Sequence, residues 1–236
     1  MSFIDAANTA LFGNEADGWW DTKGPFKVLH QMNPVRVSFV EKEMQKVFGA
    51  NPFEGRRVLD IGTGGGLMAE ACAKKGAFVT ALDAEARNID AARAHADTQG
   101  LILDYQVGDL SALDKTGRFD LVMALEVVEH VNSPDAFVAA CASFVAPGGL
   151  LIMSTLNRTV SSYVFGILAA EYVLGWAPKG AHTWSQFVKP SELARAVREV
   201  GFSIGTLQGI SFRPVTGQWG LSHDTQMNYI LSARRP

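Results

Sequence analysis

An α/β fold, with a seven-stranded, mostly parallel sheet flanked by helices and capped by an N-terminal helical segment, is what this sequence predicts, on three observations. From Arg57 onward, short apolar runs alternate with helix-length amphipathic stretches, the pattern of a parallel sheet covered on both faces. The first run ends in an acid, Asp60, and opens into Gly62-Thr63-Gly64-Gly65-Gly66, where the backbone can turn sharply and approach a ligand without Cβ atoms in the way. The second run ends in another acid, Asp83. The 236 residues suit one domain overall, with a cap over residues 1–50 and the main body over residues 51–236.

The elements follow in order. Asn33 before Pro34 reads as a helix cap with proline at the first helical position, and Val37, Val40, Met44 and Val47 repeat at helical spacing up to Gly49. Residues 57–61 form an apolar run suited to a strand buried on both faces, and residues 67–75 a helix that Gly76 stops. The second strand spans residues 78–82, followed by a helix to about Gly100. Strands are expected at residues 103–107 and 119–125, a helix at 134–145, and a strong apolar strand at 150–154 after Pro147-Gly148-Gly149. The tail supplies a helix at 191–200 and two late strands, 202–207 and 226–233.

Composition narrows the classes. With 47% apolar and 19% charged residues the chain is globular and slightly apolar. A net charge of -3 carries no polyanion signal, so nucleic acid is not an expected partner. Two cysteines, Cys72 and Cys141, fall inside expected helices without metal-ligand spacing and read as small core residues in a reducing compartment. The first five residues lack the basic region and apolar core of a secretory signal, and no apolar run reaches the ~20 residues of a membrane-spanning helix. A cytoplasmic protein is expected.

The glycine loop and its two acids specify a ligand. The dinucleotide fingerprint requires a third glycine where this chain has Leu67. A carboxylate at Asp60 would repel a pyrophosphate, yet it can hold an amino-acid ammonium. S-adenosylmethionine carries that ammonium, a ribose for Asp83 and no phosphate. Arg36 can pair with its carboxylate as a forked donor. Gly62 and Gly64 let the backbone approach, Asp109 ends the third strand where it can meet the adenine amino group or simply cap a turn, and Leu125 ends the fourth at the crevice mouth.

Beyond that loop, Trp19-Trp20-Asp21, residues 25–30 (Pro-Phe-Lys-Val-Leu-His), Asn33-Pro34-Val35-Arg36, residues 126–131 (Glu-Val-Val-Glu-His-Val), Ser154-Thr155-Leu156-Asn157-Arg158 and residues 178–182 (Pro-Lys-Gly-Ala-His) resemble the O-methyltransferases of ubiquinone biosynthesis, within the Rossmann-like S-adenosylmethionine-dependent methyltransferases. The likeness runs from about Trp19 to the end. It implies methylation of phenolic hydroxyls on a polyprenyl-hydroxyphenol and a demethylated ubiquinol, with Arg36, Gly62, Asp83 and Leu125 lining the cofactor site. Thr63 stands where the family more often has cysteine, and the neighbouring glycines make that change a minor one. The polyprenylated substrate and a quinone-biosynthesis protein assembly are the partners that fit this resemblance. Two alternatives stay open: a methyltransferase for another small acceptor, and a cofactor-binding protein without turnover.

A free phenol has a pKa of roughly 10, so a base or a cation near the oxygen would raise its nucleophilic fraction. Glu126, Glu129 and His130 fall at i, i+3 and i+4, one face of a helix if the segment is helical. His130 then acts as a general base tuned by the two carboxylates, or all three hold a divalent cation such as Mg2+ or Zn2+, or His130 merely bridges backbone groups. His30 and His182 are weaker candidates beside substrate-facing loops. Residues 163–176 are strongly apolar but contain Glu171, and cannot span a bilayer. They suit a lid over an apolar substrate, an ordinary core helix, or, over residues 159–177, a peripheral contact with the cytoplasmic face of the inner membrane.

Overall fold

The computed structural model describes residues 15–114, 118–162 and 184–236. Eight strands among them form one sheet: β1 Arg57–Ile61, β2 Phe78–Asp83, β3 Asp104–Val107, β4 Phe119–Leu125, β5 Val145–Leu156, β6 Ser203–Arg213, β7 Gln218–Ser222 and β8 Asn228–Arg234. Their order is β3-β2-β1-β4-β5-β8-β6-β7. The first five pair in parallel, while β8 runs antiparallel between β5 and β6, and β7 antiparallel to β6. The helices are α1 Lys27–Phe48, α2 Leu67–Ala73, α3 Ala86–Thr98, α4 Pro134–Phe144 and α5 Pro190–Glu199. None of the described helices is long and apolar enough to cross a membrane.

The period-2 alternation of β1 and β4 decides what faces what. Val58, Leu121, Met123 and Leu125 pack with Phe39, Met44 and Ile89 beneath α1, α2 and α3. Leu59, Ile61, Val122 and Ala124 pack on the other face with Phe137, Cys141 and Leu193 of α4 and α5. Asp60 has the parity of Val58, so its carboxylate points toward α1. The chain leaves β1 toward β2 and β3, then returns to β4 on β1's other side, which opens a crevice at their carboxyl ends.

Three expectations are corrected. The sheet has eight strands rather than seven, because the late part of the chain forms three strands: β6 runs on to Arg213 and folds back through a turn at residues 214–217 as β7. Its side chains alternate too weakly in polarity to announce that hairpin. Pro34 lies inside α1 rather than at its start. An interior proline costs about 3 kcal/mol, but Phe26 and Met32 are buried, and that packing holds the preceding turns helical. Asn33 accordingly caps nothing; its Nδ2 donates to the Leu67 carbonyl at 3.1 Å, tying α1 to α2.

Farther along α1, Glu43 is buried and joins the helix to the last strands. It accepts from Ser232 Oγ at 2.7 Å, Thr206 Oγ1 at 2.8 Å and Lys46 Nζ at 2.5 Å. Burial pushes its carboxyl up, but those donors outweigh the burial and hold it below the ordinary range. Cys72 and Cys141 are unbridged and buried, with thiols pushed up by desolvation, consistent with inert core packing.

Candidate active site

The crevice begins where β1 ends. Asp60 is 3% exposed and accepts from Thr63 Oγ1 at 2.8 Å. Desolvation raises its pKa to about 6, against the lowering effects of Thr63 and of the Arg36 charge. Arg36 is buried across from it on α1, its Nη2 donating to the Leu29 carbonyl at 3.2 Å. Burial lowers the guanidinium's pKa, while Glu126 and Asp60 support its charge. Arg36 Nε has no hydrogen-bond partner among the described residues. A buried donor left open beside two carboxylates is a seat for an incoming acceptor. Arg36, Asp60, Gly62, Leu125 and Glu126 line one cavity, with Trp19 forming part of its wall.

The glycine loop allows this closeness. Gly62 has φ 69°, and a Cβ there would sit 2.4 Å from Val127 Cγ2, so the loop and the segment after β4 meet with no room for a side chain. Gly64 and Gly65 are covered by the Trp19 indole, 2.5 and 2.6 Å from where their Cβ atoms would be. Trp19 stacks on Phe26 with ring centroids 3.7 Å apart. Trp20 donates to the Gly65 carbonyl at 3.0 Å and stacks on His95, whose Nδ1 lies 2.7 Å from the buried Glu70. His30 is part of the same clasp, its Nε2 2.7 Å from the Trp19 carbonyl oxygen.

At the end of β2, Asp83 Oδ2 accepts from Gly64 N at 2.8 Å, and Oδ1 accepts from Glu85 N at 2.9 Å and Asn88 Nδ2 at 3.2 Å. Desolvation raises its pKa in spite of these donors. Asp109 follows β3 as the cap of a short 3-10 turn, its Oδ1 accepting from Ser111 N at 2.9 Å and from Ser111 Oγ. A turn-capping role is therefore realised there.

After β4 the expected helical face does not form. Glu126 adopts φ 59°, and only Val128–His130 is helical, as a single 3-10 turn. Glu126 Oε1 accepts from Ser154 Oγ at 2.7 Å and from Asn228 Nδ2 at 3.0 Å. Glu129 is 2% exposed and accepts from Thr155 Oγ1 at 2.8 Å, its other oxygen lacking a donor among the described residues. Burial first, and the Glu126 charge second, raise the Glu129 pKa well above the carboxylate range. His130 is half-buried, its backbone N–H bonded to the Val127 carbonyl at 2.9 Å. Among the described residues no three His, Cys, Asp or Glu side chains converge to hold a metal ion. The helical face expected of Glu126, Glu129 and His130 is corrected accordingly: i, i+3, i+4 spacing makes a face only on an α-helix, and the left-handed residue at Glu126 breaks it.

His182 and nearly all of residues 159–177 lie outside the described residues. Sequence reasoning missed Asn88, Ser154, Thr155 and Asn228. A signal existed for Ser154-Thr155, a polar pair closing an otherwise apolar strand, and for Asn228, the polar residue opening another.

The chemistry of these side chains fits S-adenosylmethionine: a buried carboxylate for its ammonium, an open guanidinium donor for its carboxylate, and an acid with acceptor capacity for its ribose. Comparisons with known proteins agree. A methyltransferase domain model matches residues 28–207. The chain is 43% identical to the ubiquinone biosynthesis O-methyltransferase of Methylocella silvestris, over 99% of this chain and 96% of that one. It is 44% identical to the protein of the same name from Maricaulis maris, over 99% and 94%. Among solved structures, the magnesium protoporphyrin IX methyltransferase of Synechocystis, with SAH bound, superposes with a TM-score of 0.67 at 20% identity, covering 97% of this chain and all of that one. A possible histamine N-methyltransferase from Thermotoga maritima gives 0.64 at 15% identity, over 96% and 99%. The last two show a shared fold.

Proposed function

Because this chain belongs to the ubiquinone biosynthesis O-methyltransferases, we propose that it methylates a phenolic hydroxyl of polyprenylated intermediates, a polyprenyl-hydroxyphenol and a demethylated ubiquinol, with S-adenosylmethionine as donor. The observation that carries the reading is the group of buried Asp60 and Arg36 with half-buried Glu126 beside the glycine loop, which suits a zwitterionic amino-acid end. When bound, the cofactor supplies an already activated methyl group. The chain's own task is to orient the acceptor oxygen and remove its proton.

Arg36 and Asp60 bind the charged end, and Asp83 accepts from the ribose. Glu126, anchored through Oε1 by Ser154 and Asn228, lines the cavity beside Arg36. His130 takes the phenolic proton, supported by that carboxylate. Glu129, its carboxyl pushed up by burial and by the Glu126 charge, favours its neutral form more than an ordinary carboxylate does.

A second reading is favoured by the Glu129 oxygen that lacks a donor among the described residues: Glu129 would help hold a divalent cation, Mg2+ or Zn2+, which would polarise the acceptor hydroxyl. Residues 159–177 are the peripheral contact through which the polyprenyl tail is drawn from the cytoplasmic face of a membrane; Val160 within them, 76% exposed, supports the reading.

The test is to incubate the purified protein with S-adenosylmethionine and a demethylubiquinol analogue, with and without chelator, and to quantify S-adenosylhomocysteine and methylated product by mass spectrometry. Product in both arms, falling by about 10²-fold or more in His130→Ala, supports the base. Loss of product with chelator, restored by Mg2+ or Zn2+, selects the cation. Methylation of short phenols but not prenylated ones overturns the substrate assignment.

A further inference from the structure

Asn88 lies in the first turn of α3, 3% exposed, and both ends of its amide are used. Its Nδ2 donates to Asp83 Oδ1 at 3.2 Å, and its Oδ1 accepts from Trp19 Nε1 at 2.8 Å. The Trp19 bond fixes the amide orientation, since only Oδ1 can accept from the indole N–H. The orientation in turn presents Nδ2 to Asp83. Oδ1 of Asp83 thereby receives two donors, Glu85 N and Asn88 Nδ2, while Oδ2 receives only Gly64 N. A carboxylate oxygen has two lone-pair sites, so Oδ2 is the oxygen with capacity to spare.

Building on the reading of Asp83 as ribose acceptor, we propose that Asn88 is a positioning residue for cofactor recognition and that Trp19 orients it, so that Asp83 meets the ribose diol with its carboxylate plane already fixed. The Trp19 indole also covers Gly64 and Gly65, which makes this relay continuous with the roof of the glycine loop. The N-terminal segment thereby contributes to reading the sugar without touching it. Preorganisation of this kind acts by removing the cost of ordering the acceptor when ligand arrives.

The experiment is calorimetric titration of the full chain with S-adenosylhomocysteine and with its counterpart lacking both ribose hydroxyls. Three proteins are compared: wild type, Asn88→Ala and Trp19→Phe. Trp19→Phe keeps a ring over the loop and against Phe26 while deleting the donor. Asn88→Ala is expected to weaken the diol ligand by about tenfold, the scale of one hydrogen bond to a charged group, and Trp19→Phe by less. Asn88→Ala should not change affinity for the diol-free ligand beyond twofold, because that ligand makes no use of Asp83; Trp19→Phe, whose ring also lines the cavity, is judged by the ratio of the two affinities, which should fall. Equal losses for both ligands would mean a general packing role and overturn the proposal, as would an absence of loss for the diol ligand. Should wild type bind the two ligands equally, the assignment of Asp83 to the ribose itself fails, an outcome distinct from either.

Discussion

Asn228 and Glu126 stand 102 residues apart in the chain and meet in a 3.0 Å hydrogen bond at the mouth of the crevice. The same Glu126 oxygen accepts from Ser154, and the Glu126 backbone N–H bonds the Ser154 carbonyl at 2.9 Å. Residues at the carboxyl end of β4, near the end of β5 and at the start of β8 thus fix one acid. Removing the side-chain donor in Asn228→Ala should lower turnover by about tenfold, the scale of one hydrogen bond to a charged group, with little change in KM for S-adenosylmethionine. Steady-state kinetics with each substrate varied decides this, and an effect confined to cofactor KM would contradict it.

Glu126 holds its site at the expense of its backbone. At φ 59° any residue with a Cβ is strained, and glycine is not. Glu126→Gly should therefore be more stable to urea than Glu126→Ala by about 1 kcal/mol, while both lose turnover together.

Asp60 gives the cofactor site a pH dependence whose sign can be worked out. Its carboxyl titrates near about 6 because of burial, and only the ionised form pairs with an ammonium. Affinity should be full at neutral pH and fall as pH drops through about 6, by about tenfold between pH 7 and pH 5. Titration calorimetry across that range should show the slope in wild type and a flat, weaker profile in Asp60→Asn.

Glu43 predicts a dependence of the same sign for stability, in a more acidic range. Its folded pKa is lowered, so its contribution is present above the unfolded value and is lost as pH falls through the folded one. Glu43→Gln should cost about 1–3 kcal/mol at pH 7. The gap from wild type in denaturant unfolding should narrow below pH roughly 4.3, the unfolded value.

What could be read from the sequence was what local pattern encodes. The apolar run through Ile61, the glycines after it and Asp83 at the end of the next run each announce themselves within a few residues. Asn88 could not be found that way. Its partner Trp19 lies 69 residues away, and an asparagine in the first turn of a helix has an ordinary local explanation. The common helical face of Glu126, Glu129 and His130 failed for a different reason: its spacing was right for an α-helix, but a left-handed residue and a 3-10 turn stood in that place. Pro34 failed because buried neighbours outweighed a local preference.

The Glu43 bracket also sets a schedule. The helix that carries Arg36 is made early, yet it is fastened to Thr206 on β6 and Ser232 on β8, partners 163 and 189 residues later in the chain. A nascent chain that has displayed its glycine loop, Asp60 and Asp83 still lacks the strands to which Glu43, about two turns along the helix from Arg36, is fastened. Cofactor capture is therefore expected only once the last strands are made, and a chain truncated before β8 should show no binding of S-adenosylhomocysteine by calorimetry.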